Sequence, residues 1–218
     1  MLNKVLTWSF YILFFATPLV WASFTSELFE LNKMFLVYFL TIVITTTWVI
    51  KMVLEKKLIF KKTPLSMPLL LFLGANFLST VFSSDAHLSI YGYHSRLNGG
   101  LLSIISYTLL YFALTSNFGK EQIINFLRTI LLGGFLVSLY AIPEHFGVSP
   151  SCLILTGSLN ADCWVQDVEA RVFATLGQPN WHFIFTLQLN QECKLLSISY
   201  YLLPIIWLLL LLTQEELA

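Results

Sequence analysis

The sequence is poor in charged residues. Asp, Glu, Lys and Arg make up 11% of its 218 residues, whereas about a quarter is usual in soluble domains. Acidic and basic residues are also equal in number, with 12 of each. Because such a chain lacks the basic surface that binds nucleic acid, we predict no nucleic-acid partner.

The sequence is also poor in cysteine and lacks the short motifs of soluble enzymes. Its three cysteines form no C-x-x-C pair and are not accompanied by paired histidines, so we predict no metal centre. It contains no Walker loop, nucleophile elbow, H-E-x-x-H motif or EF-hand loop. These absences exclude the usual soluble-enzyme templates, and no cofactor is indicated.

Hydrophobic residues, in contrast, are abundant. They make up 57% of the chain, aromatic residues make up 16%, and the mean hydropathy is +0.76. Several apolar runs are long enough to cross a bilayer. We therefore predict an all-α, polytopic integral membrane protein with about six to seven transmembrane helices. The predicted spans are residues 5–22, 34–50, 69–82, 101–115, 123–142 and 195–212.

The first apolar run has two interpretations. Val20, Trp21 and Ala22 form the small-x-small pattern of a signal-peptide cleavage site. Lys4 before the run, and Trp8 and Trp21 near its ends, instead fit a spanning helix anchored at the headgroups. We prefer the spanning helix.

The orientation follows from the lysines. One short connection carries five of them, and the positive-inside rule places that connection in the cytoplasm. We predict a multi-pass protein of the cytoplasmic (inner) membrane with its N-terminus inside and with external loops at 83–100 and 144–180. After residue 181 the topology stays open, because the polar cluster at 188–194 is either a tight inside turn or follows a segment that only dips into the interface. The five lysines are Lys51, Lys56, Lys57, Lys61 and Lys62.

Two residues inside the predicted spans, and a proline directly after one span, interrupt the apolar pattern. We predict that Asn76 hydrogen-bonds a neighbouring helix. Arg128 is predicted to reach the cytoplasmic headgroups as an anchor. Pro143 is predicted to end the fifth span, because proline lacks the backbone donor of a continuing helix.

Two arginines, Arg96 and Arg171, are assigned to the outside. External arginine runs against the usual charge bias, and the guanidinium fork suits the oxygens of phosphate and diphosphate. The alternative is that each arginine pairs with a nearby acid, which is Asp85 for Arg96 and Asp167 or Glu169 for Arg171.

The external loops hold further candidates. Cys152 and Cys163 would face an oxidising compartment, so we predict a possible disulfide, with two isolated thiols as the alternative. Histidine can act as a general base near neutral pH, although a hydrogen-bonded interfacial role is the alternative for each. The four histidines are His87, His94, His145 and His182.

Two stretches together resemble the O-antigen ligase and O-antigen polymerase family of bacterial membrane proteins. Residues 78–100 read L-S-T-V-F-S-S-D-A-H-L-S-I-Y-G-Y-H-S-R-L-N-G-G, and residues 171–181 read R-V-F-A-T-L-G-Q-P-N-W. The second stretch carries the more specific pattern, R-x-x-(A/G)-x-x-G-x-P-N, after an external loop and before a span. The resemblance covers residues 5–181.

The resemblance implies an activity in polysaccharide biosynthesis of the cell envelope. Such glycosyltransferases move a glycan from a polyprenyl-diphosphate carrier to an acceptor hydroxyl at the outer face of the membrane, without a metal. Membrane lipid and the lipid-linked glycan donor are then the implied partners. Arg171 and Arg96 would bind the diphosphate and offset its charge as it leaves, with Gly177, Pro179 and Asn180 in support.

The chain also departs from the family pattern. The family's catalytic histidine belongs to a large late external loop that is absent here, so the catalytic residue is unknown. We expect residues 1–181 to be the N-terminal transmembrane part of such a protein, and 182–218 to be an atypical hydrophobic tail produced by truncation or a frameshift. A catalytically inactive membrane fragment and a transporter or flippase component remain alternatives, and the choice among ligase, polymerase and protein glycan transferase stays open.

Overall fold

The structure, a computed structural model, describes residues 1–22, 25, 28–160, 163–164 and 174–176. This part of the chain is helical, as predicted, and its one bridge between extended segments joins Val148 and Asn160. The chain divides into unit 1, residues 1–17 and 24–129, and unit 2, residues 18–23 and 130–218. The helices are α1 (Leu2–Leu19), α2 (Glu30–Glu55), α3 (Ser66–Val81), α4 (Ala86–Tyr91), α5 (Leu101–Asn117), α6 (Lys120–His145) and α7 (Pro150–Thr156), followed by a 3-10 turn, Ala174–Leu176.

Unit 1 has an apolar core rich in aromatic rings. Phe10 of α1 lies edge-on to Phe118, with 5.4 Å between the ring centroids, and Phe126 of α6 lies 5.0 Å from Phe118. Leu6 and Phe10 are fully buried. This packing makes α1 part of the core of unit 1. The core residues are Leu6, Phe10, Leu13, Val37, Leu40, Ile44, Trp48, Phe112, Ala113, Phe118 and Phe126.

Two helices, Glu30–Glu55 and Lys120–His145, are long and apolar enough to cross a membrane. In their most apolar windows only 33% and 17% of the residues are buried, whereas the core helix of a soluble protein buries most of its apolar side chains. Exposed apolar surface of this extent is unusual in a soluble monomer. The helices Ser66–Val81 and Leu101–Asn117 are apolar but shorter. The described helices thus support membrane association.

Two local predictions are wrong. Pro143 does not end its helix, because α6 continues to His145; a proline removes one backbone donor without preventing the next residues from staying helical. Asn76 bonds within its own helix, where its side-chain nitrogen donates to the Phe72 carbonyl at 2.8 Å. A short polar side chain reaches the carbonyl four residues earlier without needing a neighbouring helix.

The external loop predicted at 83–100 contains a short helix, α4. Asp85 caps its start, because its side chain accepts from the Leu88 amide at 3.0 Å. Gly92 ends it at a φ of +78°, a conformation that glycine adopts without strain. These two residues fix the chain just before the segment that carries Arg96.

Candidate functional site

Arg96 lies on a closed loop between α4 and α5, residues 92–100, which we call the Arg96 loop. Within it the Leu97 amide donates to the Tyr93 carbonyl at 2.8 Å, and the Tyr93 amide donates to the Asn98 carbonyl at 3.2 Å. The loop therefore has a defined backbone that presents the residues at its tip.

Two glycines let the ends of the Arg96 loop touch. A Cβ on Gly92 would lie 2.1 Å from the Asn98 carbonyl oxygen, and a Cβ on Gly100 would lie 2.3 Å from the Gly92 nitrogen. No larger residue fits such an approach without moving the backbone. The sequence pattern Y-G-Y-H-S-R-L-N-G-G thus has a structural reason at its first and last glycines.

Hydrogen bonds hold the Arg96 loop against α2 and α5. The hydroxyl of Tyr38 on α2 donates to the Leu97 carbonyl at 2.6 Å. The hydroxyl of Tyr107 on α5 donates to the Asn98 side-chain oxygen at 3.3 Å. The loop is consequently fixed to both helices at the end of unit 1 where α2 begins.

The guanidinium of Arg96 is accessible. Its Nη1 lies 3.5 Å from Oε1 of Glu30, and the side chain is 46% exposed. The alternative partner Asp85 instead caps α4, so the pairing of Arg96 with Asp85 is wrong. A single long contact to Glu30 leaves most of the donor fork facing outward.

Aromatic and imidazole rings precede Arg96 along the chain. The His87 ring lies 4.9 Å from Tyr91 and 6.2 Å from His94. All three side chains are exposed, as is Tyr93. Two of the four histidine candidates therefore lie close together. His145 instead belongs to the end of α6 in unit 2, where its ring lies edge-on to Phe146.

A buried carboxylate organises unit 2. Glu144, near the end of α6, is fully buried. Its Oε1 accepts from the Ser149 hydroxyl at 3.1 Å, and its Oε2 accepts from the Ala174 amide at 3.0 Å. Ser149 Oγ in turn accepts from the Trp164 indole at 3.1 Å.

The predicted cysteine pair lies beside this network. A disulfide joins Cys152 of α7 to Cys163, with 5.6 Å between the Cα atoms. Cys163 immediately precedes Trp164, so the covalent link and the indole hydrogen bond hold the same stretch of chain.

The R-x-x-(A/G)-x-x-G-x-P-N stretch is described only at its centre, Ala174–Leu176. These three residues are buried, and the Thr175 hydroxyl donates to the Pro18 carbonyl at 2.9 Å. The remaining predicted residues of this stretch and the tail 182–218 lie outside the described residues: Arg171, Gly177, Pro179, Asn180 and His182.

Sequence reasoning missed the residues that contact Arg96 in unit 1 and those that form the Glu144 network in unit 2. Glu30 lies 66 positions from Arg96, and no local pattern connects them. Glu144 carried a signal, since an acid at the very end of a long apolar run is uncommon. Ser149 and Trp164 carried none. In the described part of the chain, no group of three or more metal-ligating side chains occurs.

These observations define the class of protein: a helical chain with two helices able to cross a membrane and an exposed arginine loop at the start of one of them. Comparisons with protein-family models, with curated proteins and with solved structures find no match to this chain.

Proposed function

We propose that the chain is a polytopic protein of the cytoplasmic membrane that binds a polyprenyl-diphosphate-linked glycan and takes part in its transfer to an acceptor hydroxyl at the outer face. The proposal combines the resemblance to the O-antigen ligase and polymerase family with the accessible guanidinium of Arg96. That guanidinium is the single structural observation on which the proposal depends.

The chemistry of the Arg96 loop suits a diphosphate. Arginine offers five N–H donors in a planar fork, and its charge-assisted bonds to phosphate are short and strong. Glu30 engages the fork through one contact of 3.5 Å, and an exposed pair of this kind contributes little. A diphosphate, which carries more charge than one carboxylate, competes favourably for the same donors.

The position of Arg96 suits a lipid-linked ligand. Glu30 begins α2, a helix of 26 residues that is about 39 Å long at 1.5 Å per residue. This length matches a bilayer with its headgroup regions. If α2 crosses the membrane, Glu30 and the Arg96 side chain that contacts it are at headgroup depth. The diphosphate of a polyprenyl carrier lies at the same depth.

The finer topology belongs to the same proposal. The N-terminus and the lysine-rich connection are inside, the Arg96 loop is outside, and the chain has six to seven spans. Arg171 is the second diphosphate ligand by resemblance. The transfer itself needs a base to take the proton of the acceptor hydroxyl, and we assign that role to no residue.

The test is the affinity of the purified chain, in bilayer nanodiscs, for polyprenyl diphosphate. Arg96→Ala is expected to lower the affinity at least about tenfold, because a hydrogen bond to a charged group contributes about 1.5 to 3 kcal/mol. Arg96→Lys keeps the charge without the fork and should give a smaller loss. Arg128→Ala, whose guanidinium bonds Asn125 within α6, is the matched control and should bind as the wild type does.

The outcomes separate the parts of the proposal. Unchanged affinity in Arg96→Ala contradicts the role of Arg96, and unchanged affinity in Arg171→Ala contradicts that of Arg171 independently. Binding without glycan transfer to any acceptor would identify a carrier-binding protein without catalytic activity. Transport of the carrier between leaflets, measured in the same vesicles, would support the transporter alternative instead.

A further inference from the structure

A second charged surface lies at the other end of α2. Residues 56–62, which we call the basic loop, read K-K-L-I-F-K-K. Lys56 ends α2 in a left-handed conformation with φ +48°, and the chain turns there toward α3. Four lysines and three apolar residues thus lie within a few residues of the end of a helix that can cross a membrane.

The backbone of the basic loop is fixed to the helices of unit 1. The buried indole of Trp48 donates to the Ile59 carbonyl at 3.2 Å. The Lys61 amide donates to Ser116 Oγ at 3.1 Å. The Phe60 ring packs 4.9 Å from Phe112. The backbone that carries the lysines is therefore held in a defined conformation by contacts with α2 and α5.

The positive charge of the basic loop is not neutralised by salt bridges of the protein. Lys56, Lys57, Lys61 and Lys62 are all exposed. Among the residues that the structure describes, the ion pair that forms is Arg96 with Glu30, at the opposite end of α2. Glu55 is the one acid between residues 51 and 62, against five lysines.

An exposed apolar side chain separates the two lysine pairs. Leu58 is 82% exposed, which is costly in water but favourable at the boundary between headgroups and acyl chains. Lysine flanking such a residue lets the ammonium groups reach phosphates while the stems and the leucine contact the lipid. Orientation of the chain requires the charge alone and does not explain Leu58.

We propose that the basic loop is a binding site for anionic phospholipids of the adjacent leaflet, with the lysine ammonium groups on the headgroup phosphates and Leu58 in the acyl boundary. Clusters of this kind next to a span favour anionic lipids, and each basic residue adds to the attraction. The proposal needs only that α2 crosses the bilayer. It is independent of glycan transfer and of Arg96.

The experiment measures binding of phosphatidylglycerol and phosphatidylcholine to the purified full chain in a neutral detergent. We expect phosphatidylglycerol to bind about tenfold or more tightly than phosphatidylcholine, with the difference falling as salt is raised. The combined variant K56Q, K57Q, K61Q, K62Q should lose this preference, while the matched variant K56R, K57R, K61R, K62R should keep it.

The variant Leu58→Ser distinguishes binding of a lipid from binding of a soluble anion. It leaves all four charges in place and alters a side chain that makes little contact with the protein, so it is expected to weaken phosphatidylglycerol binding several-fold. Inorganic phosphate is the competing probe and should displace little lipid.

Three results would overturn the proposal: equal binding of the two lipids, an unchanged preference in the glutamine variant, or inorganic phosphate competing as well as the lipid. If the glutamine variant does not fold, the salt dependence and Leu58→Ser decide the question.

Discussion

At the residue scale, the two glycines at the ends of the Arg96 loop set its shape. Gly92→Ala places a Cβ 2.1 Å from the Asn98 carbonyl oxygen in a backbone conformation of positive φ. We expect a loss of about 2 to 4 kcal/mol in stability, seen as a lower thermal unfolding midpoint in detergent. Gly119→Ala, whose Cβ meets no atom within 4 Å, is the control and should change the midpoint little. Equal midpoints for both variants would contradict the close approach.

Under the proposed function, Glu30 would compete with a phosphate ligand for the guanidinium of Arg96. Glu30→Gln removes the carboxylate that lies 3.5 Å from the guanidinium. Because an exposed ion pair contributes at most about 1 kcal/mol, the affinity for polyprenyl diphosphate should rise by up to about fivefold. Binding isotherms in nanodiscs measure this, with Glu55→Gln at the far end of α2 as the control. A fall in affinity would instead mean that Glu30 positions Arg96 for the ligand.

At the element scale, the apolar runs located the helices but not their ends. The run predicted at 34–50 lies inside α2 (Glu30–Glu55), and that at 123–142 lies inside α6 (Lys120–His145). Both helices extend into polar residues, because a helix continues until a cap or turn interrupts it rather than where apolar residues stop. α4 was not predicted, since its six residues show no period and its caps are its only signal.

Glu144 is the residue that ties the 3-10 turn Ala174–Leu176 to the end of α6. Glu144→Ala leaves the buried Ala174 amide and Ser149 hydroxyl without this acceptor. We expect a loss of about 3 kcal/mol and faster hydrogen exchange at the Ala174 amide. Ser149→Ala removes one arm of the network and should leave exchange at Ala174 nearly unchanged. If exchange there is the same in wild type and Glu144→Ala, the bond does not hold the turn.

The disulfide stabilises the same part of unit 2. It closes a short loop with a sequence separation of 11 residues, so replacing Cys152 and Cys163 by Ser should cost about 3 kcal/mol. The midpoint of thermal unfolding, compared with Cys193→Ser as the control, measures the loss. In the Cys193→Ser background, an impermeant maleimide should label Cys152 and Cys163 only after reduction. Labelling without a reductant would show that the two thiols are free.

At the scale of the whole molecule, the sequence could indicate the kind of site but not its assembly. The rarity of external arginine pointed to Arg96, and its position on a loop before α5 agrees with the structure. Two residues of α2 contact this loop: Glu30 contacts Arg96, and Tyr38 bonds the Leu97 carbonyl. The sequence could not predict these contacts, because they depend on how distant helices pack. The pattern of apolar and polar residues predicts which side chains are shielded from water, but it does not predict which distant side chains contact each other.

The proposed orientation of unit 1 can be tested at two loops, which lie at opposite ends of α2. Glu30 at its start contacts Arg96, and Lys56 directly follows its last residue. The two ends are about 39 Å apart, so if α2 crosses the bilayer, the Arg96 loop and the basic loop are on opposite sides of it. α3 connects them and must then cross as well, although its 16 residues span only about 24 Å. In that arrangement the prolines and polar residues before α3, and the exposed Phe82 after it, would lie in the interfaces.

Thiol labelling of intact cells tests this orientation. In a Cys193→Ser background that keeps the disulfide, Ser95→Cys and Leu58→Cys each add one exposed thiol. An impermeant maleimide should label Ser95→Cys in intact cells and Leu58→Cys only after the membrane is permeabilised, because the positive-inside rule predicts that the lysine-rich side is cytoplasmic. The background alone is the control and should remain unlabelled. The reverse pattern would place the basic loop outside, and equal labelling of both thiols in intact cells would show that α3 does not cross.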